Sequence, residues 1–147
     1  GGFQTANWLK VMATLPPLTI GLSLILKNSW NLNAILLGEE HAQSVGVDIK
    51  KLKKTLIACS ALLTSAAVAV SGIIGFVGII IPHAMRMVVG EDHKVLLPAS
   101  ILFASSFMPA VDVVARSMFS GEIPVGIITA MLGAPFFIYL LKRRGLG

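Results

Sequence analysis

The side chains that could carry out chemistry are few and widely separated in this sequence. Its three histidines, His41, His83 and His93, are too dispersed to suggest a metal site. The single cysteine, Cys59, lies in an uncharged stretch, so we expect a small apolar side chain inside a helix rather than a disulfide or zinc ligand. The sequence contains no recognisable catalytic triad and no GxxxxGKS or GxxxxGKT phosphate-binding loop. We therefore predict a protein that is not an enzyme and that binds no metal or cofactor directly.

Two further features set ionisable groups among apolar neighbours. The Pro82-His83 pair interrupts an apolar run. Ionisable groups inside a membrane are often functional, which suggests binding or proton relay, but we favour a role in which His83 caps a bend near one end of its helix. Asp112 and Arg116 lie four residues apart, the spacing at which opposite charges pair on one helix face. That pair can be purely local, or the arginine can also contact a partner.

The elements that carry these residues are apolar blocks. Hydrophobic residues make up 55% of the 147 positions and charged residues 13%, against about 25% in a typical soluble domain. Mean hydropathy is +0.84. No charged residue occurs from Thr55 to Pro82. An ionisable side chain in hydrocarbon costs on the order of 2.5–3.5 kcal/mol, so this sorting of charge indicates a bilayer. We predict an all-α integral membrane protein.

The apolar blocks predict five membrane spans, since a bilayer core requires about 20 helical residues. The predicted spans are Trp8–Leu26, Leu56–Ser71, Ile74–Val89, Val95–Ala115 and Pro124–Leu141. Prolines interrupt several of them, and they are tolerated in membrane helices because neighbouring helices satisfy the freed carbonyls. Gly72, Gly75 and Gly78 predict a tight turn between the second and third spans and close helix packing there, as small residues provide in membranes.

The positive charges predict the orientation of these spans. If the five spans alternate, ten of the 12 Lys and Arg residues lie on one side, and only Lys10 and Arg116 lie on the other. The positive-inside rule makes the first side cytoplasmic, with the C-terminus inside and the N-terminus outside. An odd number of spans that begins outside predicts the second half of a longer membrane protein.

The segment between the first two spans is far longer than a turn requires. This segment, residues 28–49, is called the connecting loop below. Its apolar positions alternate with Glu39, Glu40 and Asp48, and Gly38 and Gly46 divide it into two short pieces of helical composition. One interpretation is an amphipathic segment that lies on the bilayer surface. The other is a pair of short helices that are presented to a cytoplasmic partner.

Four segments resemble one known family. They are LNAILLGEEHAQSVGV (32–47), SGIIGFVGIIIPHAMRMVVGEDHKVLLPAS (71–100), VDVVAR (111–116) and GEIPVGIITAMLGAPFFIYLL (121–141). Their order and spacing are similar to those of the FecCD-type permeases of ABC importers for iron-siderophore, haem and cobalamin. That family has ten spans, and this chain resembles the last five, as one partial permease domain over residues 1–147.

The resemblance implies roles for particular residues. The connecting loop resembles the coupling helices that dock on the ATPase subunit, and Glu40, Ala42 and Gly46 match the "EAA…G" pattern found more widely in ABC importers. Leu36, Gly38 and Glu39 belong to the same predicted coupling site. Arg116 resembles the arginine that meets a carboxylate of the substrate-binding protein. Gly72, Gly75, Gly78, Pro82 and His83 are expected in helix packing or along the pathway.

The same resemblance implies partners and a location. We expect a separate ATPase subunit that uses ATP, an extracytoplasmic binding protein and a second permease subunit, in the cytoplasmic membrane of a bacterium or archaeon. The net charge of +5 is then explained by the positive-inside pattern, without nucleic acid. Two alternatives are an ion-coupled secondary transporter and a non-transporting membrane scaffold. Ferric siderophore is the default cargo; haem and cobalamin remain open.

Overall fold

The computed structural model describes residue 2, residues 7–118 and residues 124–144. Within these ranges the chain is all helical and forms seven helices. They are α1 (Trp8–Lys27), α2 (Ser29–Leu36), α3 (Glu39–Ser44), α4 (Ile49–Ser71), α5 (Val77–Val89), α6 (His93–Met118) and α7 (Val125–Arg144). Helices α1, α4 and α6 are long and apolar enough to cross a bilayer, and α5 and α7 are shorter apolar helices. Each predicted span corresponds to one of these five, which confirms the predicted fold class.

The polar start of α4 lies further upstream than the sequence predicted. The helix begins at Ile49 rather than Leu56, because the Asp48 carboxylate accepts a 3.0 Å hydrogen bond from the Lys51 backbone N–H and caps the first turn. The lysine-rich stretch is therefore helical. It forms the first two turns of α4, ahead of the apolar part that is long enough to span.

The predicted tight turn at the glycines is instead a five-residue non-helical segment, residues 72–76. Gly72 ends α4 with a φ of 68°, and Phe76 precedes α5 with a φ of 66°. Both values lie in the left-handed region, where helical hydrogen bonding cannot continue. Helix α5 therefore begins at Val77, and the prediction of a span from Ile74 was wrong by three residues.

The five apolar helices pack as two groups. Helix α1 packs chiefly against α4, and α5 packs against α6 and α7. Within each group a glycine allows close approach. A Cβ on Gly21 of α1 would lie 2.7 Å from the Leu63 side chain, and one on Gly133 of α7 would lie 2.3 Å from the Phe76 Cβ. Small residues bring membrane helices together in this way. Between the two groups, α1 touches α6 only lightly.

Apolar surface faces outward along most of the spans. Trp8, Leu102 and Ile138, for example, are each more than half exposed. One of the buried apolar clusters lies where the connecting loop meets α4, and another lies where α6 meets α7. Outward-facing apolar side chains around polar helix ends are the pattern expected of helices in lipid.

Candidate docking site

The connecting loop contains two short helices, as its glycines predicted. Gly38 has a φ of 112° and Gly46 a φ of 87°, which glycine adopts without the cost that other residues incur. The Gly38 N–H donates to the Ile35 carbonyl, and the Gly46 N–H donates to the Gln43 carbonyl. The donor–acceptor distance is 2.9 Å in each hydrogen bond. The two glycines therefore follow the ends of α2 and α3 and set the direction in which the chain leaves each helix.

Helix α3 is fastened to the start of α4. Ala42 is completely buried and packs in one cluster with Ala34, Val47 and Leu52. The Lys53 ammonium donates a 2.6 Å hydrogen bond to the Glu39 carboxylate. Both charged side chains are about half exposed, so the ion pair contributes at most about 1 kcal/mol. Burial of the apolar cluster therefore stabilises this attachment more than the ion pair does.

The exposed positions of the loop carry both apolar and polar side chains. Leu37 is 72% exposed, and Leu36 and Val45 are about half exposed. Glu40 is exposed on α3 and has no hydrogen bond or ion pair to any described residue. The loop thus exposes an apolar rim of Leu36, Leu37 and Val45 and an unpaired Glu40 carboxylate, on helices that are already held in position by their buried sides.

Helix α2 is fastened elsewhere, to the start of α6. The Asn33 side-chain amide donates a 2.6 Å hydrogen bond to Asp92 Oδ1. Its side-chain carbonyl oxygen accepts a 2.7 Å hydrogen bond from the His93 backbone N–H. The His93 ring nitrogen Nδ1 lies 2.9 Å from the same oxygen. We call these contacts the Asn33 bridge. Asn33 was not among the residues predicted from the sequence, because its partners lie about 60 positions away along the chain.

Asp92 is held in its ionised form by this bridge. Hydrogen bonds from the Asn33 amide and the Lys94 backbone N–H keep the pKa of the Asp92 carboxyl below its ordinary value of 3.8. The same carboxylate caps the first turn of α6 through the Lys94 N–H at 2.9 Å. A lowered pKa means that this contribution is present at neutral pH and is lost only as the pH falls through the lowered value.

Arg116 lies at the other end of α6. Its Nε donates a 2.9 Å hydrogen bond to Asp112 Oδ2, which confirms the pairing that the four-residue spacing predicted. The arginine side chain remains 58% exposed. Twenty-three helical residues separate it from His93, a rise of about 35 Å, which is close to the thickness of a bilayer core. Arg116 and the connecting loop therefore lie at opposite ends of the spans.

The structure also describes the surroundings of Gly75, Gly78 and the Pro82-His83 pair. No described atom lies within 4 Å of a Cβ built on Gly75 or Gly78, so their predicted close packing is not seen inside this chain and stays a prediction. His83 lies in the middle of α5, not near its end as predicted, and its ring meets Phe136 of α7 edge-on with centroids 6.0 Å apart.

An apolar cavity separates α1 from α5 and α6. Its volume is about 260 Å³, and Leu22, Gly78, Pro82 and Ile101 are among its lining residues. Two of the residues expected in packing or along the pathway, Gly78 and Pro82, thus lie on its wall. The cavity therefore lies between the two helix groups.

The comparison with protein families decides what this arrangement is. The model of the FecCD transport family matches residues 1–143. The chain belongs to the FecCD transport family.

Curated relatives of this FecCD chain are import permeases named for different substrates. It is 48% identical to the cobalamin import system permease protein BtuC of Halobacterium salinarum, over 98% of this chain and 39% of that protein. It is 44% identical to the molybdate import system permease protein MolB of Haemophilus influenzae, over 99% of this chain and 44% of that protein. It thus spans about two-fifths of the length of these relatives.

A solved structure has the same fold as this FecCD chain. It is described as an inward-facing conformation of a metal-chelate type ABC transporter, and it matches with a TM-score of 0.89 and 43% identity. The match covers 97% of this chain and 46% of that one. Residues 121–123 of the last resembling segment lie outside the residues that the structure describes. In the part of the FecCD chain that is described, no three His, Cys, Asp or Glu side chains are grouped as a metal site.

Proposed function

We propose that this chain is part of the permease subunit of an ABC importer that moves a metal chelate across the cytoplasmic membrane. The cargo class comprises iron-siderophores, haem and cobalamin. Relatives named for cobalamin, haemin and molybdate import support the transport class and leave the individual cargo open. Membership of a family of ABC importer permeases supports a separate ATPase subunit as the site of ATP hydrolysis.

The proposal depends on the exposed face of the connecting loop. The apolar rim of Leu36, Leu37 and Val45 is exposed, and the Glu40 carboxylate makes no hydrogen bond or ion pair with a described residue. Exposed apolar side chains rimmed by polar groups are typical of protein interfaces. We assign this face to the ATPase subunit. A rigid wedge of this kind can pass a rigid-body movement of a closing ATPase dimer to the spans.

The remaining partners follow from the two ends of the spans. Arg116 is exposed about 35 Å from the connecting loop, on the side where an extracytoplasmic binding protein would dock. A carboxylate of that protein would share the guanidinium with Asp112. We further propose a second permease subunit, identical or not, and a cytoplasmic C-terminus.

An ion-coupled secondary transporter is the weaker alternative. Such a carrier is expected to place acidic groups centrally in its spans. In the described spans α1 and α4–α7, the candidate is Asp112, which lies towards one end of α6 and is paired with Arg116. A non-transporting membrane scaffold does not require an exposed apolar rim on the connecting loop.

The test is uptake by the complete transporter in proteoliposomes, with the ATPase inside and the binding protein outside. Uptake of the chelate should require ATP and should survive collapse of the ion gradients by ionophores. Gly46→Glu should abolish uptake, because it adds bulk and charge at the ATPase face. Gly46→Ala carries the same backbone cost at a φ of 87° without the charge, so it should retain most uptake.

Uptake that is driven by an ion gradient without ATP would overturn the proposal. Equal loss of uptake in Gly46→Glu and Gly46→Ala would instead show that only the backbone geometry of this turn is important, and the assignment of this face to the ATPase would fail.

A further inference from the structure

We propose that Asn33 is a positioning residue that transmits movement of the connecting loop to α6, and through α6 to the second helix group. This inference rests on the proposed function, because it assumes that a partner pushes on the loop. It concerns a residue that does not lie on the exposed apolar rim. It follows from how the loop is attached to the rest of the chain.

The loop is attached to both helix groups at once. Its second helix, α3, is held on α4 by the buried Ala42 and by the Glu39–Lys53 ion pair. Its first helix, α2, packs against α6, where Asn33 makes its bridge to Asp92 and His93. Helix α4 belongs with α1, and α6 belongs with α5 and α7. A displacement of the loop therefore reaches each group by a different route.

The apolar cavity shows where relative movement of the two groups would have its effect. It lies between α1 on one side and α5 and α6 on the other, and its lining is almost entirely apolar. Packed helices move as units because their interiors resist deformation, so a shift of one group against the other changes this gap first. The Asn33 bridge is the polar contact that the structure describes between the loop and the second group.

The chemistry at Asn33 requires an amide. Its Nδ2 donates to a carboxylate, while its Oδ1 accepts from the His93 backbone N–H and lies 2.9 Å from the His93 ring Nδ1, so one side chain uses both its donor and its acceptor. Alanine removes both functions. Aspartate keeps the acceptor but brings a second negative charge within hydrogen-bond distance of Asp92, and this arrangement is repulsive.

The neighbouring Asn31 provides a matched control on the same helix. Its side chain donates to Asn28 Oδ1 over 3.0 Å, a contact within the loop itself. Asn31→Ala therefore removes an amide of the same size from α2 without touching α6. A general loss of stability of the loop should appear in both variants, whereas a loss of transmission should appear at Asn33 alone.

The experiment measures ATP hydrolysis and chelate uptake separately in proteoliposomes that contain the complete transporter with its ATPase and binding protein. Asn33→Ala and Asn33→Asp should bind the ATPase and hydrolyse ATP at near wild-type rates. Uptake per ATP should fall by about fivefold or more, the lower range of a typical coupling between sites. Asn31→Ala should keep the wild-type ratio. If Asn33→Ala fails to fold or to insert into the membrane, Asp92→Ala tests the same bridge from its other side and should give the same fall.

Unchanged uptake per ATP in Asn33→Ala, or an equal fall in Asn31→Ala, would overturn the inference. Loss of ATPase binding in Asn33→Ala would overturn it as well, because Asn33 would then act in docking rather than in transmission. A wild-type transporter that shows no ATP-dependent uptake would instead defeat the proposed function, so the two failures are distinguishable.

Discussion

Adjacent residues of α3 have opposite roles, and the difference lies in what each side chain contacts. Glu39 is paired with Lys53, Ala42 is buried against α4, and Glu40 projects without a partner among the described residues. The short pattern that the sequence offered grouped these positions as one coupling site. The structure separates the side chains that hold the helix in place from the one that remains available for an interface.

Glu40→Arg should therefore uncouple the transporter far more than Glu39→Gln. Reversal of the Glu40 charge changes the interface itself, and loss of a charge-assisted contact at an interface typically costs about 2–5 kcal/mol. Glu39→Gln breaks an exposed ion pair whose contribution is at most about 1 kcal/mol. The measurement is ATPase binding to the permease in detergent, followed by uptake per ATP. Similar effects of the two substitutions would contradict the separation of roles.

Arg116 offers a second prediction at the scale of the residue. Arg116→Glu should weaken binding of the substrate-binding protein and leave the ATPase complex intact, because the two sites lie at opposite ends of α6. The double variant Asp112→Arg with Arg116→Glu restores a local pair in reversed order. If the pair serves only the helix, the double variant should bind normally; if Arg116 meets a carboxylate of the binding protein, it should bind as poorly as Arg116→Glu. Affinity of the immobilised permease for the binding protein distinguishes these outcomes.

At the scale of the helices, the sequence predicted the spans well and their contacts poorly. Hydropathy located all five apolar helices because the cost of charge in lipid acts on each segment independently. The turn at the glycines was predicted, but its extension to Phe76 was not, because a positive φ at a non-glycine residue has no local sequence signal. The Asn33 bridge was missed for a similar reason. It joins positions that are distant in the sequence, and no local pattern records such a contact.

Gly133→Ala should be the most disruptive of the glycine-to-alanine changes in the spans. The new Cβ would lie 2.3 Å from the Phe76 Cβ, an atom tied to the backbone that cannot move aside as a flexible side-chain end can. Overpacking of this kind costs about 1–3 kcal/mol. Gly78→Ala is the matched control, because nothing described lies within 4 Å of its added Cβ. Thermal unfolding of the purified permease should show a lower midpoint for Gly133→Ala and little change for Gly78→Ala.

At the scale of the whole molecule, the length of α6 supports the orientation that the distribution of Lys and Arg predicts. Ten of the 12 basic residues were predicted on one side from their order along the chain. The Asn33 bridge brings the start of α6 to the connecting loop, and the helix then rises about 35 Å to Arg116. The connecting loop and Arg116 must therefore lie on opposite faces of any bilayer that α6 crosses. The distribution of the lysines predicts which of these two faces is cytoplasmic.

The orientation of the chain can be tested with single cysteines in a Cys59→Ala background, expressed within the full permease in intact cells. Lys51 is exposed on the first turn of α4, and Arg116 is exposed at the far end of α6. A membrane-impermeant maleimide should label Arg116→Cys from outside and should label Lys51→Cys only after the membrane is permeabilised. Ser105→Cys, in the middle of α6, should react poorly in both conditions, because lipid protects it. Labelling of Lys51→Cys in intact cells would reverse the orientation, and the ATPase could then no longer be the partner of the connecting loop.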